Sequence, residues 1–339
     1  MAVRWGFVGG GNVTEWKASP GGAFTQDGSD VVAVARTSLE RAQQYAEANG
    51  IARAYGSVEE LCADPEVDAV FVCTPHHLHK EHALAAIRAG KHVLCEKPLT
   101  IGTQDGAELV AAAREAGVLL GVAYYRRFYP VLEKLHAIVV SGQLGTLTSV
   151  QMVCRSWSIP RQPPADGTPA PWRTHLDQAG GGALTDVGSH RLDLLFWLLG
   201  DAERVSASVQ RFQTWAEVED QATVTIQFAS RATGYLDQSF CSRVYRDSIV
   251  VHGTEGSATV EDLEGTRLRL QIGKSDETFE LAPRASSTHR PLVTDFVRAV
   301  TDGAPLGCSG ADALRTTQIL ELAYRSARES QTLAVPPLP

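Results

Sequence analysis

The first 125 residues alternate apolar segments with segments of helical spacing, and this alternation restricts the possible folds more than any other feature of the sequence. The apolar segments are VRWGFVG (3–9), DVVAVA (30–35), AVFVC (69–73), HVLCE (92–96) and VLLGVA (118–123). Continuous apolar runs of this kind are typical of strands covered on both faces. Because helical segments that end at glycines lie between them, the pattern predicts a doubly wound parallel sheet over residues 1–125.

The sequence from residue 126 onwards has long strand patterns with few helices between them. The strand patterns are LTSVQMVCRSW, RVSASVQRFQTW, QATVTIQF, TGYLDQSF and SIVVHG. Strands that follow one another without crossover helices are typical of an antiparallel sheet. We therefore predict a second, α+β domain over residues 126–339 with a large, mainly antiparallel open sheet. Its uncovered face would expose an apolar patch, so we expect a homodimer or homotetramer that pairs these faces.

Composition and charge narrow the class of protein. The 339 residues are 44% hydrophobic with a net charge of −8, and the basic residues are scattered, which argues against a nucleic-acid partner. The six cysteines form no CxxC pair, which favours free thiols in a reducing compartment. The start shows no signal-peptide pattern, and the longest apolar run, 194–199, is far shorter than the about 18 residues that span a bilayer. We expect a cytoplasmic protein that does not bind a membrane.

The segment GFVGGGNV follows the first predicted strand and opens a helix. Gly9 would form the tight turn, and Gly11 would let the backbone approach a pyrophosphate. Asn12 and Val13 would begin the helix whose N–H groups face the phosphates. The third glycine of a dinucleotide fingerprint would fall at position 14, where Thr14 stands, so a plain tight turn remains an alternative. The surrounding strands and helices favour a Rossmann fold with a nicotinamide dinucleotide site.

The end of the second strand indicates which nicotinamide cofactor binds. An acidic residue here would accept hydrogen bonds from the ribose 2′-OH of NAD. The sequence instead has Arg36, followed by Thr37 and Arg41. Because a guanidinium pairs well with a 2′-phosphate, we predict NADP(H) over NAD(H). In the alternative, Arg36 stacks on the adenine and tolerates either cofactor.

The segment CTPHHLHKEH follows the strand at 69–73, at the edge where doubly wound sheets bind ligands. We expect Thr74 and Pro75 to form a turn beside the nicotinamide, with His76 and His79 among the cofactor-binding residues. The histidines of this segment are His76, His77, His79 and His82. No carboxylate or thiolate stands at metal-site spacing from them, so we predict no metal site.

Lys97 follows the next strand, in CEKPLT, and would lie at the same edge of the sheet. Pro98 biases Lys97 toward an extended backbone, and their peptide bond is a candidate for cis geometry. Glu96 could pair with another charge in the cofactor cleft. The alternative is a lysine on the surface.

The segment GGGALTDVGSHRLDLLFWLLG carries Asp186, His190 and Asp193 at spacing i, i+4, i+7, which places them on one face of a predicted helix. The opposite face would turn leucines toward the core. The three glycines at 180–182 indicate that something approaches the backbone closely. In the alternative, His190 is a core histidine satisfied by Asp186.

The glycine loop, AGKHVLCEKPL and GGGALTDVGSH together resemble the Gfo/Idh/MocA family of oxidoreductases, and the match runs over nearly the whole chain. Within that family the sequence is most similar to NADP-dependent sugar-ketone reductases. The resemblance implies that Lys97, Asp186 and His190 are catalytic. Lys97 would hydrogen-bond the reacting hydroxyl, His190 would exchange the proton, and Asp186 would orient His190.

The resemblance also implies further contacts and a function. Trp172 and Arg173 match a family position that reaches the cofactor or substrate, and Tyr124 and Arg127 would line the substrate pocket. The expected reaction is hydride transfer between NADP(H) and a sugar, polyol or keto-sugar. Two alternatives remain, namely a non-catalytic regulatory or sensor protein that binds NAD(P), and a glycosidase that uses the nicotinamide transiently.

Overall fold

The computed structural model describes residues 2–26, 28–158, 163–165 and 167–339. Two compact units make up the chain. The first contains the residues up to Tyr125 together with Ala285–Leu314, and the second contains Arg126–Arg284 with Arg315–Pro339. This division differs from the predicted ranges 1–125 and 126–339 in one segment, because Ala285–Leu314 packs with the first unit.

The first unit contains a six-stranded parallel sheet in the order β3-β2-β1-β4-β5-β6. The strands are β1 (Val3–Gly9), β2 (Ser29–Ala35), β3 (Arg53–Tyr55), β4 (Ala69–Cys73), β5 (His92–Cys95) and β6 (Leu120–Val122). The strand order reverses between β1 and β4, where Gly9 lies opposite Cys73 at the carboxyl edge. Ligands of doubly wound sheets bind at such a switch point. The predicted parallel sheet is confirmed, with the short edge strand β3 as an addition.

Five helices belong to the first part of this unit: α1 (Asn12–Trp16), α2 (Leu39–Asn49), α3 (Val58–Ala63), α4 (His79–Arg88) and α5 (Thr103–Ala116). A π-helical turn covers Pro20–Phe24, and a 3₁₀ turn covers His76–Leu78. Helix α2 shows how the sequence sets the bounds. Ser38 caps its first turn by accepting a hydrogen bond from the Arg41 N–H, and Gly50 ends it with a φ of 68°.

The second unit contains a nine-stranded sheet in the order β14-β13-β12-β11-β7-β10-β9-β8-β15. The strands are β7 (Leu147–Trp157), β8 (Ala202–Gln210), β9 (Gln221–Phe228), β10 (Thr233–Ser239), β11 (Cys241–Gly253), β12 (Gly256–Val260), β13 (Arg267–Ile272), β14 (Ser275–Glu280) and β15 (Leu333–Ala334). Strands β7 and β10 run parallel, and the other neighbouring strands are antiparallel. The predicted mainly antiparallel sheet is confirmed.

One face of this sheet is apolar, and the other is mostly polar. Val150, Met152 and Cys154 of β7 are buried, whereas the alternate positions point outward, with Gln151 and Arg155 exposed and Val153 half-buried. The outward residues of the neighbouring strands include Thr223 and Gln227 of β9 and Tyr235 and Asp237 of β10. The predicted apolar patch is therefore wrong, because threonine, glutamine and charged residues occupy most outward positions.

Three helices of the second unit precede the long run of strands: α6 (Pro130–Val140), α7 (Leu176–Ala179) and α8 (Ser189–Leu199). A 3₁₀ turn at Trp172–Thr174 leads into α7, and a π-helical turn at Leu184–Gly188 leads directly into α8. A further 3₁₀ turn covers Tyr125–Phe128.

Two helices near the end of the chain complete the fold, α9 (Arg290–Asp302) and α10 (Gly310–Glu329). Helix α9 was not predicted. Its Phe296 is buried against Trp5 of β1, with ring centroids 5.2 Å apart, so α9 belongs to the core of the first unit. No helix among the described residues combines the length and the apolar character needed to cross a membrane.

Candidate active site

The glycine loop after β1 combines a backbone conformation that favours glycine with an open approach. Gly9 and Gly10 both have a φ of 112°, and a β-carbon on Gly9 would lie 2.8 Å from the Cys73 carbonyl oxygen. Gly11 differs, because a β-carbon there would meet no described atom within 4 Å. The Thr14 hydroxyl donates to the Gly11 carbonyl oxygen at 2.8 Å. The loop therefore leaves room at Gly11 for a pyrophosphate, while Thr14 closes the turn where a third glycine was expected.

Helix α1 begins at Asn12 and Val13, as predicted, but it has only five residues. The side chain of Asn12 lies outside what the structure describes. Because the helix is short, its backbone N–H groups, rather than a large helix dipole, are what it offers to a phosphate.

Arg36 lies directly after β2, and its guanidinium carbon is 5.2 Å from the centroid of the Tyr45 ring. Thr37 and Arg41 are exposed. No described residue forms an ion pair with Arg36 or Arg41, so both guanidinium groups have charge available for an anion. The sequence interpretation missed Tyr45, although its position four residues after Arg41 on α2 places it on the same side of the helix.

His79 joins the two loops that were predicted to contact the nicotinamide. Its Nδ1 lies 2.8 Å from the Pro98 carbonyl oxygen, and its Nε2 lies 3.0 Å from the Thr74 carbonyl oxygen. Burial lowers the pKa of His79, so the neutral ring donates to one of these oxygens. His79 thus links the loops after β4 and β5, and its contact with the cofactor stays a prediction. His76 is also buried, with its ring centroid 5.5 Å from that of His79.

Thr74 and Pro75 follow β4 as a half-buried turn, and the Thr74 hydroxyl lies 3.1 Å from His82 Nδ1. The described residues contain no group of three or more His, Cys, Asp or Glu side chains that could hold a metal ion.

Lys97 follows β5 at the carboxyl edge of the parallel sheet, and the Lys97–Pro98 peptide bond is cis. Glu96 is buried and accepts the Lys97 backbone N–H at Oε2, at 3.2 Å. Its other oxygen, Oε1, lies 2.8 Å from Nε2 of His289. Burial raises the pKa of Glu96, but the hydrogen bond and charge of His289 and the charge of Lys97 outweigh it and lower the pKa to about 2. Glu96 is therefore ionised.

His289 is a partner that the sequence interpretation missed. It lies fully buried just before α9, and its ring centroid is 4.7 Å from that of Tyr125. Its backbone N–H donates to the Lys17 carbonyl oxygen. No spacing rule links it to Glu96, because the two residues are 193 positions apart.

Asp186 lies in the π-helical turn that precedes α8, and its Oδ2 is 3.7 Å from Nε of Arg173. The Arg173 guanidinium lies over the Trp172 ring, 4.2 Å from its centroid. The structure thus brings together three residues of the second unit that the sequence singled out. His190 follows in the first turn of α8 and is 3% exposed.

Arg127 and Asp193 form a buried ion pair in the second unit. Nε and Nη2 of Arg127 donate to the two oxygens of Asp193 at 2.8 and 2.6 Å. Asp193 thus holds Nε and Nη2 of Arg127, and the contact of Arg127 with substrate stays a prediction.

Helix α8 is buried on nearly all sides, although one polar and one apolar face were predicted. Its Arg191 is 1% exposed and is paired with the buried Asp247. A charged residue can occupy such a helix only because a partner compensates the loss of water. Tyr124, another predicted substrate residue, is buried in the apolar core of the first unit. Its contact with substrate stays a prediction.

The comparisons with known proteins decide the family. Residues 3–124 match the family described as "Oxidoreductase family, NAD-binding Rossmann fold", and residues 132–259 match the "GFO/IDH/MocA C-terminal domain". The chain belongs to the Gfo/Idh/MocA family. The resemblance drawn from the glycine loop, the Lys97 segment and the Asp186 segment is thereby confirmed.

Individual relatives of this Gfo/Idh/MocA protein are reductases and dehydrogenases. A 1,5-anhydro-D-fructose reductase of Ensifer adhaerens is 39% identical over 257 residues, which cover 75% of this chain and 74% of that protein. A trans-1,2-dihydrobenzene-1,2-diol dehydrogenase of Mus musculus is 34% identical and covers 78% of this chain and 76% of its own. Among solved structures, an aldose-aldose oxidoreductase from Caulobacter crescentus, complexed with glycerol, has a TM-score of 0.85 and 25% identity, covering 98% of this chain and 100% of its own.

This Gfo/Idh/MocA protein is an NAD(P)-dependent oxidoreductase, as predicted. The residues around the glycine loop suit such a cofactor, since Gly11 leaves the approach open and Arg36 adds positive charge. The assignments of Lys97, Asp186 and His190 as catalytic, and of Glu96, Trp172 and Arg173 as neighbours of the cofactor, stay predictions.

Proposed function

We propose that the chain transfers a hydride between NADP(H) and a CH–OH or C=O group of a sugar, polyol or keto-sugar. The observation that carries this proposal is the Lys97 loop at the carboxyl edge of the parallel sheet, held by the ionised Glu96 and by His289. A lysine fixed in this way supplies a cation at the edge where a nicotinamide cofactor binds. The identity of 39% with 1,5-anhydro-D-fructose reductase supports a keto-sugar substrate.

The residues of the chain divide the chemistry between them. When bound, the nicotinamide supplies or accepts the hydride. Lys97 would hydrogen-bond the reacting oxygen and stabilise the negative charge that develops there. His190 would exchange the proton on that oxygen, and Asp186, beside Arg173, would orient the imidazole. A histidine suits this step because its ordinary pKa lies near neutrality.

NADP(H) is proposed over NAD(H) because of the charge at the end of β2. Arg36 lies against the Tyr45 ring, which orients its guanidinium without neutralising it. Arg41 is exposed one turn into α2. Two cations at this place favour a 2′-phosphate over a bare ribose hydroxyl.

A substrate panel tests the proposed function. Sugars, inositols and keto-sugars are supplied with NADPH, NADH and their oxidised forms, and turnover is followed by nicotinamide absorbance. Turnover of at least one sugar ketone or polyol is expected, and Lys97→Ala should lower it strongly. Lys274→Ala, at an exposed lysine, is the matched control and should leave turnover unchanged.

Two outcomes would contradict the proposal. Cofactor binding without turnover of any sugar, polyol or keto-sugar would indicate a sensor. Glycoside cleavage without net oxidation or reduction of the cofactor would indicate a glycosidase.

We also infer a homodimer or homotetramer through the nine-stranded sheet and a cytoplasmic location. Since the outward face of that sheet is mostly polar, the assembly is supported by the family resemblance rather than by an apolar patch. The six unpaired cysteines suit a reducing compartment. Light scattering on the purified chain measures the assembly, and a monomeric mass would contradict it.

A further inference from the structure

Glu219 accepts hydrogen bonds from three successive backbone N–H groups. The Gly182 N–H donates to its Oε2 at 2.7 Å, and the Leu184 N–H donates to its Oε1 at 2.8 Å. The Ala183 N–H donates to the backbone carbonyl oxygen of Glu219 at 3.1 Å. Glu219 is 5% exposed. One residue thus fixes the whole segment 182–184.

Tyr324 of α10 completes this arrangement. Its hydroxyl donates to Oε1 of Glu219 at 2.9 Å and lies 2.9 Å from Oγ1 of Thr185. Burial raises the pKa of Tyr324 well above its ordinary value, so its hydroxyl keeps its proton as a donor. We refer to Glu219, Tyr324 and Thr185 as the Glu219 cluster.

The Glu219 cluster accounts for Gly181 and Gly182. A β-carbon on Gly181 would lie 2.0 Å from the Tyr324 hydroxyl oxygen, and one on Gly182 would lie 1.9 Å from the Glu219 carbonyl oxygen. Both distances are far below van der Waals contact, so only glycine fits at either position. The close approach that the sequence indicated is therefore made by the protein's own chain.

The fixed segment leads directly to two residues of the proposed chemistry. The Asp186 N–H donates to the Gly182 carbonyl oxygen at 2.8 Å. This hydrogen bond connects the backbone of Asp186 to the segment that Glu219 holds. The turn Leu184–Gly188 then continues into α8, whose first turn carries His190. The position of both side chains depends on this backbone.

We propose that Glu219 and Tyr324 are positioning residues that hold Asp186 and His190 in place for proton exchange. The roles of Asp186 and His190 in this statement rest on the proposed function. Neither Glu219 nor Tyr324 need touch the substrate, because they act through the backbone of residues 182–186.

The test uses Glu219→Gln and Tyr324→Phe in the full chain. Glutamine keeps the size of Glu219 but turns an NH₂ group toward backbone N–H groups that need an acceptor. Tyr324→Phe removes one donor and leaves the carboxylate in place. Glu203→Gln, at an exposed glutamate of β8, is the matched control.

Four quantities are measured: kcat as a function of pH, KM, the cofactor Kd, and hydrogen exchange of the backbone over residues 180–190. For Glu219→Gln we expect kcat to fall on the order of 10²-fold, the loss that a misplacement of about 1 Å can cause. The pH dependence of kcat should shift, the cofactor Kd should stay nearly unchanged, and exchange at 182–184 should become faster. Tyr324→Phe should show smaller changes in the same direction, and Glu203→Gln should show none.

The proposal is overturned if folded Glu219→Gln keeps the kcat, pH profile and exchange rates of the natural chain. It is also overturned if exchange becomes faster while kcat and its pH profile do not change. If Glu219→Gln does not fold, Tyr324→Phe decides by the same criteria. If the natural chain turns over no substrate, the proposed function fails. Exchange at 182–184 then decides separately whether Glu219 holds the segment.

Discussion

The carboxylate of Glu96 and the imidazole of His289 lie 2.8 Å apart, although 193 positions separate the two residues in the chain. Both side chains are buried, so water cannot replace either of them as the hydrogen-bond partner of the other. The same carboxylate also holds the backbone of Lys97, because its second oxygen accepts the Lys97 backbone N–H.

The pair predicts how stability depends on pH. The pKa of Glu96 is about 2 in the folded chain against an ordinary value of 4.5, a difference of about 3 kcal/mol in favour of the folded carboxylate. Because the folded pKa is the lower one, this stabilisation is complete above about pH 5 and is lost as the pH falls from 4.5 toward 2. Glu96→Gln should therefore lower the free energy of unfolding at pH 7 but much less at pH 3.

Urea unfolding at both pH values measures this difference. Glu115→Gln, at an exposed glutamate of α5, should change little at either pH. An equal loss at pH 7 and pH 3 for Glu96→Gln would show that the charge of Glu96 is not the cause.

The ion pair of Arg127 and Asp193 should contribute strongly to stability. Asp193→Ala leaves a buried guanidinium without its partner, which typically costs about 3–5 kcal/mol. The exposed pair of Arg267 and Glu280 offers the contrast, and Glu280→Gln should lower the free energy of unfolding far less, because water screens this pair. Denaturant unfolding of the two variants gives the comparison. If Asp193→Ala lowers the free energy of unfolding no more than Glu280→Gln does, the buried ion pair does not stabilise the fold more than an exposed one.

Gly182 should tolerate no side chain. The β-carbon of alanine would lie 1.9 Å from the Glu219 carbonyl oxygen, and overpacking of this kind costs about 1–3 kcal/mol or more. Thermal unfolding should show a lowered Tm for Gly182→Ala. Gly21→Ala is the matched control, because a β-carbon at Gly21 would meet no described atom within 4 Å. Similar Tm values for the two variants would contradict the close packing at Gly182.

Arg36 should determine the choice of cofactor. Arg36→Asp replaces a partner of the 2′-phosphate by a repelling charge, and losing a charged hydrogen bond of about 1.5–3 kcal/mol weakens binding roughly 10- to 100-fold. The Kd of NADPH should rise by this factor, and that of NADH should not. Titration of protein fluorescence with each cofactor measures both constants, with Arg114→Asp on α5 as the control. Equal affinities of the natural chain for both cofactors would favour the stacking role of Arg36 instead.

The sequence predicted the parallel sheet closely because most positions of the central strands β1 and β4 are buried. The segments 3–9 and 69–73 coincide with β1 and β4. Helix α9 could also have been predicted, since Leu292, Val293, Phe296 and Val297 repeat at helical spacing and are buried.

The partners of buried charges could not be predicted from local spacing. Asp193 was assigned to a polar face with His190, yet its partner Arg127 lies 66 positions away. The glycines at 180–182 correctly indicated a close approach, but the sequence could not distinguish a ligand from Glu219 and Tyr324 of the same chain. Long-range contacts of this kind depend on the completed fold.

The return of Ala285–Leu314 to the first unit has a consequence for how the protein is made. While a ribosome synthesises the chain, Trp5 and Glu96 emerge long before Phe296 and His289 do. The core of the first unit therefore lacks α9 and His289 until most of the second unit has been synthesised. An isolated N-terminal fragment ending at residue 125 would expose the apolar surface that Phe296 covers and would leave the buried Glu96 without the His289 imidazole.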